Sequence, residues 1–145
     1  MKKVLSIALF QVIFCLSYGQ SNEVIIPKGA ESISIIGDSS TNDKIIETLV
    51  VNGFSPSSVT DYVIKTEQNR IKTWNFDINV TNIKNKFTFK IYWSSSTSVY
   101  VGAGVTSGPT RGICSYKGMT SSARKVGFNK LLEMVEGLGY EYTFN

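Results

Sequence analysis

Two stretches in the middle of the chain, WNFDINV (residues 74–80) and FTFKIYW (residues 87–93), decide the predicted fold. Apolar and polar residues alternate in both stretches, so the apolar side chains of each fall on one face of a β-strand. Residues 81–85 between them have the composition of a turn, which makes the pair an antiparallel hairpin. A hairpin with one apolar face must bury that face under other elements of the protein.

The same alternation extends the hairpin in both directions. Residues 62–66 (YVIKT) predict a strand before it, and residues 99–105 (VYVGAGV) predict a fourth strand after it. A shorter strand is expected at residues 32–36 (SISII). The sequence therefore predicts an antiparallel sheet of four to five strands, to which residues 140–144 (YEYTF) would add a short terminal strand.

Two amphipathic segments are predicted to form the helices that cover this sheet. Apolar residues recur at helical spacing in residues 41–52 and 120–138, and each segment is followed by a glycine that can end a helix, Gly53 and Gly139. The order strand, helix, four strands, helix predicts an α+β two-layer sandwich with both helices on one face of the sheet.

The first 19 residues have the pattern of a cleavable signal peptide. Two lysines precede an apolar run of about 15 residues, shorter than the ~20 that span a bilayer, and SYG (residues 17–19) places small residues where signal peptidase cleaves. An uncleaved anchor and a lipoprotein acceptor at Cys15 are the alternatives. We expect residues 20–145 to form one domain, exported to the periplasm or the outside of a Gram-negative bacterium and not transmembrane after cleavage.

The composition excludes several classes of enzyme. The chain contains no histidine, which removes Ser-His and Cys-His catalysis and imidazole metal sites. Cys114 is the one cysteine after the signal peptide, and we expect it to be buried. We therefore predict no catalytic residue, no cofactor and no metal, with an enzyme that uses Cys114 beside Arg111 and Lys117 as the weakest hypothesis.

The first candidate site is a long loop predicted at residues 106–119, which leads into the second helix. Loops of this length often carry function, and the free N–H groups at a helix start favour anions. The residues predicted to contact an anion or a partner are Arg111, Lys117, Arg124 and Lys125. The alternative interpretation is a solvated connection without a site.

The second candidate site is the apolar space between the sheet and the last helix. Five aromatic side chains are predicted to line a cavity for an apolar ligand there: Trp74, Phe76, Phe89, Trp93 and Phe128. The alternative is an ordinary hydrophobic core, since packing alone places aromatic residues on the inner face of a sheet.

The order of elements resembles the TATA-binding-protein-like fold, and the chain is similar to small secreted hypothetical proteins of Bacteroidetes-type bacteria that adopt it. The resemblance covers about residues 30–140. It depends on SYGQ (17–20), NGF (52–54), IKT (64–66) followed by Trp74, and the segment from Gly127 to Leu132. It implies a helix-on-curved-sheet fold and no activity. The DNA-binding role does not carry over, because the polar face, with Asp77, Asn79 and Thr88, is predicted to hold few basic residues.

The sequence thus favours a non-enzymatic, exported protein-interaction domain. Without the signal peptide, 13 basic residues face 11 acidic ones, a balance that does not by itself imply a polyanionic partner. No nucleic-acid partner is expected. The alternative function is a carrier that binds a lipid or another apolar small molecule between the sheet and the C-terminal helix.

Overall fold

The computed structural model describes residues 24–95, 99–101, 105–107 and 110–145. The predicted signal peptide lies outside these described residues. In chain order the elements are β1 (Ile33–Ile36), α1 (Thr41–Val51), β2 (Pro56–Val59), β3 (Val63–Thr66), β4 (Asn69–Ile71), β5 (Trp74–Ile83), β6 (Lys86–Ser95), β7 (Val99–Val101), β8 (Val105–Ser107), β9 (Thr110–Ile113), α2 (Ala123–Gly137) and β10 (Tyr142–Phe144).

The hairpin of β5 and β6 is the centre of the sheet. The two strands pair in continuous register from Asn75 opposite Ser94 to Ile83 opposite Lys86. They are joined by a two-residue turn at residues 84–85, both with positive φ (53° and 64°), as in a type I′ hairpin. The predicted hairpin is therefore confirmed, with a tighter turn than expected.

Each long strand of the hairpin carries two short strands along its outer edge. On β6, β1 pairs with residues 86–89 and β9 pairs with residues 92–95. On β5, β3 and β4 occupy the two halves in the same way. With β10 outside β1 and β2 outside β3, eight described strands form one antiparallel sheet in the order β10-β1-β6-β5-β3-β2, with β4 and β9 alongside.

Both helices pack on one face of this sheet and bury its apolar side chains, so the predicted α+β sandwich is confirmed. Helix α1 contributes Ile45 and Leu49 to the core, and α2 contributes Phe128, Leu131 and Val135, all fully buried. The two layers are in close contact at Gly127, where an added Cβ would lie 2.4 Å from Cys114 Sγ. A glycine on α2 is what permits this approach.

Several details of the prediction are wrong. The sheet has eight strands rather than four to five, because the short β2, β4 and β9 lack an alternating pattern and form by pairing along longer neighbours. Residues 99–105 do not form one strand: β7 and β8 pair antiparallel with each other, Val99 opposite Ser107, apart from the main sheet. The predicted loop at residues 106–119 contains the end of β8 and the whole of β9.

Candidate functional site

The four basic residues predicted to share a site are not brought together. Arg111 lies on β9, and its side chain is on the face of the sheet that the helices leave uncovered. Arg124 and Lys125 are in the first turn of α2, on the opposite side of the sheet, and Lys125 Nζ lies 4.7 Å from the ring centre of Tyr116. Lys117 is exposed in the segment between β9 and α2.

The start of α2 is capped by the protein's own side chain. Ser122 accepts a hydrogen bond from Lys125 N at 3.4 Å, which satisfies one of the free N–H groups of the first turn.

The five aromatic residues predicted to line a cavity belong to the core. Phe76, Phe89 and Phe128 are buried, while Trp74 and Trp93 are half-buried and pack edge to face with ring centres 5.6 Å apart. Three open depressions among the described residues are lined by other side chains.

The same layers also leave little room for a ligand beneath α2. An added Cβ at Gly127 would lie 2.7 Å from the Phe76 ring, so the helix backbone is already in contact with the sheet.

Cys114 is fully buried, as expected from its residue type. Burial raises the pKa of its thiol to about 12, and the nearby Asp77 carboxylate adds to the increase. The sulfur lies 3.7 Å from the carbonyl oxygen of Ala123, beneath α2. A thiol in this environment is almost entirely protonated at neutral pH and is not a nucleophile.

The side of the sheet that the helices leave uncovered carries mostly polar and charged side chains, and we call it the open face. It consists of the odd-numbered residues of β5 from Asn75 to Ile83, the even-numbered residues of β6 from Lys86 to Ser94, and the residues that pair with them on the flanking strands. Both described helices pack on the other side. The open face is therefore a surface whose side chains are not part of the hydrophobic core.

The open face is strongly basic. Through the strand pairs that define it, the open face holds five basic side chains and the acidic side chain of Asp77, and a second acidic side chain, Glu141, lies beside Lys86 at its edge. The basic residues are Lys65, Arg70, Lys86, Lys90 and Arg111. The expectation of few basic residues on this face was wrong.

Asp77, Tyr92 and Arg111 form the one charged cluster of the open face that the described residues hold in a fixed geometry. Tyr92 lies opposite Asp77 in the sheet register, and Arg111 forms an ion pair with Asp77 Oδ2. The Arg111 guanidinium also stacks 4.5 Å above the ring centre of Tyr92. Asp77 is 7% exposed and its Oδ1 has no hydrogen-bond partner among the described residues, whereas Arg111 remains 53% exposed at its side chain.

A second polar cluster joins the start of α1 to the segment before β10. Asp38 Oδ1 accepts hydrogen bonds from the Ser40 hydroxyl at 2.7 Å and the Ser40 N–H at 2.9 Å, and these bonds lower the pKa of Asp38. Thr41 Oγ1 lies 3.2 Å from the Tyr140 hydroxyl, and Lys44 donates to that hydroxyl at 3.2 Å. Thr41 and Lys44 together lower the pKa of Tyr140. Thr41 is fully buried, whereas Asp38, Ser40 and Lys44 are exposed, and the bonds of the cluster are those of a helix start tied to the C-terminal segment.

Within the described ranges, no three His, Cys, Asp or Glu side chains lie close enough together to bind a metal ion. Neither of the two helices in these ranges is long and apolar enough to cross a bilayer. Comparisons with protein-family models, with curated proteins and with solved structures found no match.

The basic character of the open face could be recognised only in part from the sequence. The alternation in residues 74–80 and 87–93 already places Asp77 and Lys90 on a common polar face. Arg70 and Arg111 join that face through β4 and β9, two strands with no sequence signal. Their positions follow from strand pairing, which the local pattern does not contain.

Proposed function

We propose that this protein is a non-enzymatic, exported domain that binds another protein through the open face. The observation that carries the proposal is the basic, polar side of the sheet, which neither described helix covers while the opposite side forms the core. Arginine and tyrosine are enriched at protein interfaces, and Arg111 and Tyr92 hold fixed positions on this face. The export component is supported by the amino-terminal pattern of residues 1–19.

The binding component is tested by site-specific photocrosslinking in the organism that produces the protein. A photoreactive amino acid replaces Thr81, which is exposed on the open face, or Asn129, which is exposed on α2 as a matched control. We expect a discrete crosslinked species from position 81 and none from position 129. A species from position 129 alone, or from neither position, would contradict the proposal.

The export component is tested by fractionation and mass spectrometry of the same cells. We expect the protein outside the cytoplasm, with a mature amino terminus at Gln20. A chain that retains residues 1–19 and stays in the cytoplasm would contradict export. The crosslinking result would still test the binding component separately.

A further inference from the structure

The lysines of the open face are spread out rather than convergent. Lys65 and Lys90 flank Asn79 across three adjacent strands, so their backbones are about 10 Å apart at the usual strand spacing. Lys86 and Lys90 are four residues apart on β6, which separates them by about 14 Å. A single phosphate or carboxylate needs donors that converge within hydrogen-bond distance. This spacing instead matches several anions distributed over an extended surface.

Hydrogen-bonding side chains fill the positions between these cations. Asn79 lies between Lys65 and Lys90, and Thr81 lies opposite Thr88 in the next row of the sheet. Amide and hydroxyl groups both donate and accept, so they can bind the polar side chains and backbone of a protein segment between its carboxylates. Bare electrostatic attraction would not require them.

Arg111 is ordered and partly exposed in the protein without a partner. The ion pair with Asp77 and the stack on Tyr92 fix its guanidinium, while about half of its side-chain surface remains exposed. An ordered arginine loses less conformational entropy on binding, and arginine and tyrosine are common at the centres of protein interfaces. Because Arg111 already stacks on one face of the Tyr92 ring, that face is not free to stack on a nucleobase.

The open face has a recess beside Lys86 at its edge. It has a volume of about 590 Å³, and Ser34, Ile36, Lys86 and Thr143 line it together with Glu141. Ile36 is exposed, so the recess offers an apolar wall next to a cation, Lys86, and a carboxylate, Glu141. A partner side chain can enter it without displacing a core residue.

From the charge, its spacing and the preset arginine, we infer that the partner of the open face is an acidic protein segment whose carboxylates contact Lys65, Lys86 and Lys90. This inference rests on the proposed function, since it names the chemistry of the partner for that same surface. Arg111 is the fixed contact of the surface, and the three lysines supply the charge complementarity that brings the segment to it.

Binding of poly-L-glutamate to the folded protein, measured by fluorescence anisotropy, tests the inference. The test variant is K65Q/K86Q/K90Q, and the matched control is K28Q/K117Q/R124Q, which removes the same charge from exposed positions outside the open face. We expect the open-face variant to lose at least about 10-fold in affinity and the control to stay within about 3-fold, because each exposed contact contributes modestly and three act together. Equal urea midpoints for the two variants establish that both remain folded.

Three results would overturn the inference. Equal losses in the two variants would mean that overall charge, not the open face, binds the probe. Tighter binding to phosphatidylglycerol vesicles or to single-stranded DNA than to poly-L-glutamate, with the same dependence on the three lysines, would assign the face to a membrane or a nucleic acid. A crosslink from position 81 that persists in K65Q/K86Q/K90Q would refute the acidic partner and leave the proposed function standing. The absence of any crosslink in the wild type would instead refute the proposed function itself.

Discussion

The two faces of the β5–β6 hairpin come from the same twenty residues and have opposite properties. On the covered face Phe76, Ile78 and Val80 are buried under the helices. On the open face their immediate neighbours, such as Asn79 and Thr81, are polar and reach the surface. Because a strand sends consecutive side chains to opposite faces, folding and binding are assigned to alternate positions of one segment. The two properties can therefore be changed separately.

The largest effect on stability is expected from a substitution on the covered face, and the adjacent residue, on the open face, provides the comparison. Ile78 is completely buried, so Ile78→Ala should lower the free energy of unfolding by about 3 kcal/mol. Asn79→Ala changes the adjacent residue on the same strand and should stay within about 0.5 kcal/mol of the wild type. Urea denaturation followed by circular dichroism measures both. Similar losses for the two variants would show that the open face also carries the fold.

A smaller effect on stability tests how tightly the helices, which form the covering layer, pack on the sheet. An added Cβ at Gly127 would lie 2.4 Å from Cys114 Sγ and 2.7 Å from the Phe76 ring, whereas the same atom at Gly137 would meet nothing within 4 Å. Gly127→Ala should therefore destabilise the protein by about 1–3 kcal/mol through overpacking. Gly137→Ala, in the same helix, should be neutral or stabilising by about 0.5 kcal/mol because alanine favours the helix.

Thermal denaturation of the two glycine variants side by side gives the answer. If Gly127→Ala were as stable as Gly137→Ala, the helix would have room to move away from the sheet. That result would restore space for an apolar ligand beneath α2 and favour the carrier function.

The covered face is the part of the molecule that the sequence predicts well. Alternation in β5 and β6 and the helical spacing in α2 each report burial on one side, and burial is a local property of the pattern. Gly53 and Gly139 adopt positive φ after their helices, as expected. The fold class follows from these signals. The number of strands does not follow from them, because β2, β4 and β9 are short and pair along the edges of other strands.

The candidate site is predicted less well because it depends on which strands become neighbours. Arg111 was expected beside Lys117, Arg124 and Lys125 because they are close in sequence. The pairing of β9 with β6 places Arg111 on the open face instead, against Tyr92 and Asp77. Long-range register decides such contacts, and one strand without a sequence signal is enough to move a residue to the other side of the sheet.

A still smaller effect on stability is expected from the cations of the open face. It distinguishes Arg111, which is fixed by an ion pair, from Lys90. Arg111→Met leaves the buried Asp77 carboxylate without its ion pair, which should lower stability by about 1–2 kcal/mol, since half of the arginine is in solvent. Lys90→Met removes a cation that forms no ion pair with the described residues, and should change stability by less than about 0.5 kcal/mol.

The double variant R111M/D77N separates charge from packing in the same assay. It removes the buried carboxylate charge as well, so it should recover part of the stability that Arg111→Met loses. If the double variant were no more stable than Arg111→Met, the stacking of Arg111 on Tyr92, rather than its pairing with Asp77, would be the source of the effect.

The smallest effect concerns the anchor of the covering layer, and pH reveals it. Hydrogen bonds from Ser40 lower the pKa of Asp38 below its ordinary value of 3.8, so the ionised carboxylate stabilises the folded state. That contribution is complete above about pH 5 and is lost as the pH falls through the lowered folded-state pKa. Asp38→Asn lacks the charge, so the wild type should be the more stable protein at pH 7, and the two stabilities should converge towards pH 2.

Urea midpoints at pH 7, 4 and 2 follow this convergence, and Ser40→Ala provides a second route to it. Ser40→Ala keeps the Asp38 charge but removes the hydroxyl donor, while the Ser40 N–H still donates at 2.9 Å. It should therefore reproduce part of the loss at pH 7 and the same convergence in acid. A gap between wild type and Asp38→Asn that is equally large at pH 7 and pH 2 would mean that the shape of the side chain, and not its ionisation, anchors α1. The helix would then be tied to the C-terminal segment chiefly through Thr41 and Tyr140, whose oxygens are 3.2 Å apart and keep their contact at every pH in the series.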